Sequence, residues 1–212
     1  MVSLEKVMSN YIKEVFDSAT FEQAKNTCLT FDPSDPNKFE NETRFLIDFL
    51  KEHKLISNNS LVLDYGCGVG RVSKMIIDDI GCRVAGVDIS DSMLQFATQY
   101  VDNENFLPLL YTTELSNNAP KFDLVIASLV LQHAEYPIES INFIKNILKE
   151  GGTFVLVNED TRYVPTDIDS NNYVVWHDDG IDILEEVGKQ LNLVGQYHYY
   201  SRTDYPLSVW KK

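Results

Sequence analysis

From residue 61 onward, short apolar runs alternate with apolar positions at helical spacing. LVLDY (61–65) is an apolar run that ends in glycines, the pattern of a strand buried on both faces. Val72, Met75, Ile76 and Ile80 then recur as one helix face. RVAGVDI (83–89) predicts a second strand, and Asp91, Met93, Leu94, Phe96, Ala97 and Tyr100 predict a helix capped by Ser90. FLPLLY (106–111) predicts a third strand, against the grain of Pro108, and FDLVIASLV (122–130) a fourth. Ile138, Ile141, Ile144, Ile147 and Leu148 predict a helix ended by Gly151-Gly152, with TFVLV (153–157) as a fifth strand. Such alternation predicts an α/β, doubly wound, parallel sheet with helices on both faces.

The flanks have a different rhythm. Leu4, Val7, Met8, Tyr11, Ile12, Val15 and Phe16 predict an amphipathic helix, with a weaker helical stretch over 21–28. Pro33 and Pro36 predict a loop over 31–39, and Phe45, Leu46, Phe49 and Leu50 another helix over about 40–55. These residues form an expected N-terminal helical cap, 1–57, on a domain spanning 58–212. After TFVLV, residues 158–179 read as a polar, aromatic loop, and Ile181, Leu184, Val187 and Leu191 as a helix. LVGQYHYYS (193–201) and PLSVWK (206–211) lie four residues apart and predict an antiparallel hairpin.

Composition narrows the function classes. The formal net charge of -14 opposes phosphate backbones and anionic headgroups, so neither nucleic acid nor membrane is an expected partner. Such a surface suits neutral or cationic ligands. Cys28, Cys67 and Cys82 show no C-x-x-C spacing, which argues against a zinc site or disulfide framework and fits a cytoplasmic location. The N-terminal residues lack a signal-peptide pattern, and no segment has the roughly 18 apolar residues of a membrane span.

The chemistry concentrates after the first predicted strand. Gly66, Gly68 and Gly70 recur at alternate positions between Asp64 and Arg71. Glycines there let the chain turn sharply and let a ligand approach the backbone. A dinucleotide fingerprint is G-x-G-x-x-G, and this G-x-G-x-G departs from it. Asp88 ends the second strand, 18 residues after Gly70. A carboxylate there can accept ribose hydroxyls of an adenosine ligand, or stabilise the helix N-terminus beyond Ser90.

LVLDYGCGVGR, VAGVDIS, FDLVIASLVLQH and LKEGGTFVLV resemble, in order, the motifs of Rossmann-like (class I) S-adenosylmethionine-dependent methyltransferases. The resemblance covers about residues 60–157. It implies a mostly parallel seven-stranded sheet with the last strand antiparallel, and S-adenosyl-L-methionine as cofactor. It implies that Asp64 and the loop of Gly66, Cys67, Gly68 and Gly70 hold the methionine end. Asp88 would then bind the ribose, Ile89 and Met93 pack on the adenine, and Ser128 and Leu129 face the sulfonium end. The adenine-side acid of many relatives is replaced here near Tyr111 or Thr112, where backbone groups or Glu114 would serve instead. Arg44, on the pre-domain helix, corresponds to a basic residue that pairs with the cofactor carboxylate in some relatives, or is a solvated arginine.

His133 follows the fourth strand, at the edge where open α/β sheets bind ligands, and its ordinary pKa suits a general base. The alternative is a loop histidine that packs over the cofactor. The implied function is methyl transfer to an O or N atom of a small molecule. A protein methyltransferase and a non-catalytic cofactor-binding module are the alternatives. The substrate would be enclosed by the N-terminal segment and residues 158–179, which carry Asn158, Glu159, Arg162, Tyr163, Tyr173, Trp176 and His177.

Overall fold

The strands β1 (Leu61–Tyr65), β2 (Arg83–Asp88), β3 (Phe106–Leu110), β4 (Phe122–Ser128) and β5 (Leu148–Val157) run parallel in the computed structural model. The structure describes residues 11–29, 32–111, 120–200 and 202–212, with only the backbone at 202–205. The full sheet has seven strands in the order β3-β2-β1-β4-β5-β9-β8. β8 (Asn192–Tyr199) and β9 (Arg202–Lys211) form the expected hairpin, and β9 lies antiparallel between β5 and β8. Sheet order reverses between β1 and β4, and the site lies beyond their carboxyl ends.

Two-residue periodicity sorts the sheet's side chains onto two faces. Leu63, Tyr65, Val87, Val125, Ala127 and Phe154 pack against Ile141, Ile144 and Ile147 of α5 (Pro137–Ile147). Val62, Val84, Leu124, Ile126 and Val155 pack on the other face. There they meet Leu46, Ile47 and Leu50 of α2 (Lys38–Glu52) and Ile76 of α3 (Arg71–Ile80). Each such fully buried Val, Leu, Ile or Phe side chain contributes about 1.5–3 kcal/mol of burial energy. Asp64 breaks the apolar pattern of β1, which marks it for a role other than packing.

The flanks differ from their sequence pattern in identifiable ways. Of the N-terminal helix expected over Leu4–Phe16, residues 1–10 lie outside the described residues, and 11–16 contain only a 3-10 turn, Lys13–Phe16. That stretch bonds sideways instead: Ile12 N–H donates to Pro165 O at 3.1 Å and Tyr11 Oη to His133 O at 3.2 Å. α1 (Phe21–Cys28) starts at Thr20, whose side chain accepts from Gln23 N–H. It packs through Phe21 on Phe96 and Tyr100 of α4 (Asp91–Val101). The segment read as a loop over 158–179 holds an antiparallel pair, β6 (Val164–Ile168) and β7 (Val174–His177), separate from the main sheet. α6 is shorter than its periodicity, spanning Ile183–Gly188, because Leu191 already leads into β8. No helix among the described residues is long and apolar enough to cross a membrane.

Candidate active site

The glycine loop is fastened to β2. Gly66 and Cys67 N–H both donate to Val87 O, at 2.7 and 3.0 Å. Gly66 and Gly68 have φ of +73° and +52°, the left-handed region where a Cβ is costly. Packing adds a second demand. A Cβ on Gly66 would stand 2.3 Å from Val130 Cγ2, and one on Gly68 2.2 Å from Cys28 Sγ. Gly68 N–H, left free by the turn, donates to Asp88 Oδ2 at 2.8 Å, while Ser90 N–H donates to Asp88 Oδ1 at 3.0 Å. The second acid is thereby aimed at the loop. Burial raises the Asp88 pKa, and the Ser90 and Gly68 amides oppose that rise.

Asp64 is buried, and its Oδ2 accepts from Ser73 Oγ at 2.7 Å and Ser73 N–H at 3.1 Å. Burial pushes its carboxyl up to about 6, against the pull of these donors and of Arg71. Arg71, also buried, donates to Thr43 Oγ1 at 2.8 Å and to Ser128 Oγ at 3.2 Å. Leu129 has φ of +60°, an uncommon state for leucine, while its N–H donates to Val157 O at 2.8 Å.

His133 ends a 3-10 turn, Leu131–His133, just beyond β4. Its Nδ1 lies 2.7 Å from Tyr163 O. A carbonyl only accepts, so the neutral ring carries its proton on Nδ1 and presents the Nε2 lone pair. Burial lowers the His133 pKa, with the Tyr163 carbonyl opposing. Phe16 and Trp176 close on the ring, at centroid distances of 5.9 and 5.6 Å. Arg162 secures the whole turn. It is buried, grips Asp179 through Nε at 2.7 Å and Nη2 at 2.8 Å, and donates to Leu131 O and Ala134 O, both at 2.9 Å.

These parts line a cavity of about 860 Å³, within the range of small-molecule sites. Its wall includes Asp64, Gly66, Cys67, Gly68, Asp88, Ile89, Met93, Ser128, Leu129 and His133, all singled out in the sequence. Gly70 lies behind this wall as the N-cap of α3. Arg44 does not reach the cavity: it pairs with Asp79 on the outer surface. Thr112 and Glu114 lie outside the described residues. Sequence reasoning missed Arg71, Cys28 and Gln132, which also line the cavity. Arg71 had a signal, since it directly follows the last glycine of the loop. Cys28 and Gln132 are brought in by tertiary packing. Glu135 and Glu159 line the cavity too, half-buried. Among the described residues, no cluster of His, Cys, Asp or Glu has the makings of a metal site.

A family model described as a methyltransferase domain matches residues 63–156. The ubiquinone biosynthesis O-methyltransferase of Coxiella burnetii (strain Dugway 5J108-111) is 29% identical over 105 residues, 48% of this chain and 44% of that protein. The chain thus aligns with less than half the length of that curated relative. Among solved structures, the PH0226 protein from Pyrococcus horikoshii OT3 superposes with a TM-score of 0.66 at 18% identity, covering 91% of this chain and 99% of that one. An S-adenosylmethionine-dependent methyltransferase from Clostridium acetobutylicum ATCC 824 superposes with a TM-score of 0.59 at 18% identity, covering 82% and 91%. The fold is that of the class I methyltransferases, and the implied cofactor is S-adenosylmethionine. The donor set fits it. A cationic ligand meets a buried carboxylate, Asp64, and a half-buried one, Asp88, and the acceptor capacity that the Gly68 and Ser90 amides leave open on Asp88 matches a pair of hydroxyls.

Proposed function

We propose that this protein, whose residues 63–156 match a methyltransferase-domain model, transfers a methyl group from S-adenosylmethionine to an O or N atom of a small molecule. One observation carries the reading: the same cavity is lined by Asp64, the glycine loop, Asp88 and His133, whose Nδ1 is held by Tyr163 O. Bound there, S-adenosylmethionine supplies an activated methyl carbon and a good leaving group. In this reading Asp88 takes the ribose hydroxyls, Ile89 and Met93 the adenine, and Asp64 with Gly66, Cys67 and Gly68 the methionine end. Gly70 sets the turn into α3. The Ser128–Leu129 backbone borders the sulfonium, and Arg71 is the buried cation beside it.

The chain's own work is alignment, dehydration and proton removal. His133 accepts the proton of the acceptor hydroxyl or amine at Nε2. Its lowered pKa keeps the ring neutral at pH 7. Phe16 and Trp176 pack beside the ring, and both line the cavity. The segment 11–29 acts as a cap, with Tyr11, Phe16 and Cys28 contributing to the cavity wall. The cavity's volume suits a small acceptor, and the relative named for ubiquinone biosynthesis supports the same reading. The acidic balance opposes nucleic acid.

Calorimetry tests the cofactor half. S-adenosylmethionine and S-adenosylhomocysteine should each bind in the micromolar range, roughly 8 kcal/mol. A screen of labelled methyl transfer against a metabolite library tests the acceptor half. Folded protein that binds neither compound would overturn the proposal.

A further inference from the structure

Gln132 precedes His133 within the 3-10 turn. Its backbone is engaged, since Gln132 O accepts from Tyr163 N–H at 3.0 Å. Its side chain is fully buried, and neither Oε1 nor Nε2 has a hydrogen-bond partner. The backbone carbonyls on either side of it and the neighbouring imidazole are paired. Arg162 satisfies Leu131 O and Ala134 O, Tyr11 satisfies His133 O, and His133 Nδ1 meets Tyr163 O. An unpaired buried amide is costly, and an unbranched apolar side chain would fill the same space without that cost. Gln132 is nonetheless part of the cavity wall, beside the candidate base. An amide with an open donor and an open acceptor at that place awaits a group that offers both.

We propose that Gln132 is a specificity-determining residue for the methyl acceptor, making a two-point hydrogen bond to a group that presents a donor and an acceptor side by side. This rests on the methyl-transfer reading above. The half-buried carboxylates of Glu135 and Glu159 share the cavity wall and disfavour an anionic partner. The acceptor is therefore an uncharged or cationic molecule, with a carboxamide or a hydroxyl beside a carbonyl at its reacting end. A site whose buried polar groups need a substrate partner rejects analogues lacking it by up to about 10⁴–10⁵-fold. Gln132 gives this chain the means for such rejection.

The test compares wild type with Gln132→Met and Gln132→Leu in three measurements. Without ligand, the melting temperature should rise by about 2–8 °C in at least one variant, because the unpaired amide is gone. The Kd for S-adenosylhomocysteine should stay within about threefold, while kcat/KM for acceptors found in the library screen falls by about 100-fold or more. Lower melting temperatures in both variants would overturn the proposal by showing the amide to be structural. A tenfold loss of S-adenosylhomocysteine affinity would assign the amide to the cofactor, and unchanged kcat/KM would remove it from the acceptor site. Failure of wild type to bind S-adenosylhomocysteine would instead remove the methyl-transfer reading. The melting temperatures would still decide whether the amide awaits a ligand.

Discussion

The imidazole of His133 is locked to the backbone of Tyr163 by a 2.7 Å hydrogen bond from Nδ1 to the carbonyl oxygen. The two residues lie 30 positions apart, in the turn after β4 and in the stretch leading into β6. This single bond fixes the tautomer and points the basic nitrogen away from the protein backbone.

It follows that His133→Gln should bind S-adenosylhomocysteine almost normally and lose about 10²–10⁴-fold in turnover. In wild type, the rate should rise with pH as His133 loses its proton. The midpoint should fall below the ordinary histidine value of about 6.5, because burial lowers this pKa. The variant should lack that limb. Rate profiles from pH 5 to 8 check this, and an unchanged limb would assign the titration to another group.

Arg162→Met should be among the most destabilising substitutions in the chain, at about 3–5 kcal/mol. It leaves Asp179 buried without its cation and strips donors from Leu131 O and Ala134 O. Arg162 holds Asp179 below its ordinary carboxylate range despite burial, so the pair is a working one. Urea denaturation measures the loss; a change under 1 kcal/mol would mean that other contacts hold the turn.

Gly68 and Cys28 should be coupled. Gly68→Ala brings a Cβ to 2.2 Å from Cys28 Sγ, whereas Cys28 Cβ is 3.7 Å away. Cys28→Ala should therefore relieve part of the damage, leaving about 1–2 kcal/mol for the left-handed backbone. A double-mutant cycle should give a coupling of about 1–3 kcal/mol. Additive effects would mean that the cap does not rest on the loop.

Asp88→Ala should weaken S-adenosylhomocysteine binding by about 1.5–3 kcal/mol, the value of hydrogen bonds to a charged group. It also frees the amides of Gly68 and Ser90, so circular dichroism should accompany the calorimetry. Full affinity in a folded variant would move the ribose contact elsewhere.

Asp64 gives a pH signature in stability. Its folded pKa of about 6 lies above the ordinary aspartate value of about 3.9. A raised pKa means that the native state holds the proton more tightly, so this contribution is complete below about pH 4 and is lost as pH rises through 6. The difference in unfolding free energy between wild type and Asp64→Asn should shift by about 2–3 kcal/mol across that window, in the variant's favour at the upper end. Denaturation series from pH 4 to 7 measure it. A flat difference would mean that Asp64 is already ionised at pH 4.

The central fold was legible because buried parallel strands are short apolar runs, and β1, β2, β4 and the 153–157 half of β5 have that form; the expected helix up to Gly151-Gly152 instead ends at Ile147, and β5 already begins at Leu148. Even β3 forms over Pro108, whose missing donor is tolerable on the edge strand of the sheet. The β6–β7 pair was not legible. Its strands carry Pro165, Asp167 and exposed Ile168 and Trp176, and they pair with each other rather than with the sheet. Asp64, the glycines and Asp88 could be read because turn geometry and ligand chemistry restrict residue type at fixed spacing. Arg44 and Arg71 could not be ranked by spacing alone. Which guanidinium turns inward depends on Thr43 and Ser128 meeting one and Asp79 the other. Gln132 carries no sequence signal, since an unpaired amide exists only once the fold has closed around it.

The position of β9 bears on how the molecule is made. This strand lies between β5 and β8, yet it is the last in chain order of the strands among the described residues. As synthesis proceeds from the amino terminus, β5 keeps an open edge of Phe154, Val155 and Leu156 until residues 207–210 have emerged. At about 5–20 residues per second, the stretch from Val157 to Trp210 takes several seconds. During that interval the cofactor walls contributed by β1, β2 and β4 can already be in place, while Leu207, Val209 and Trp210 are missing from the core. A nascent chain stalled before β9 would thus expose a ready template for pairing with another strand, and its aggregation should depend on whether a ligand has already bound.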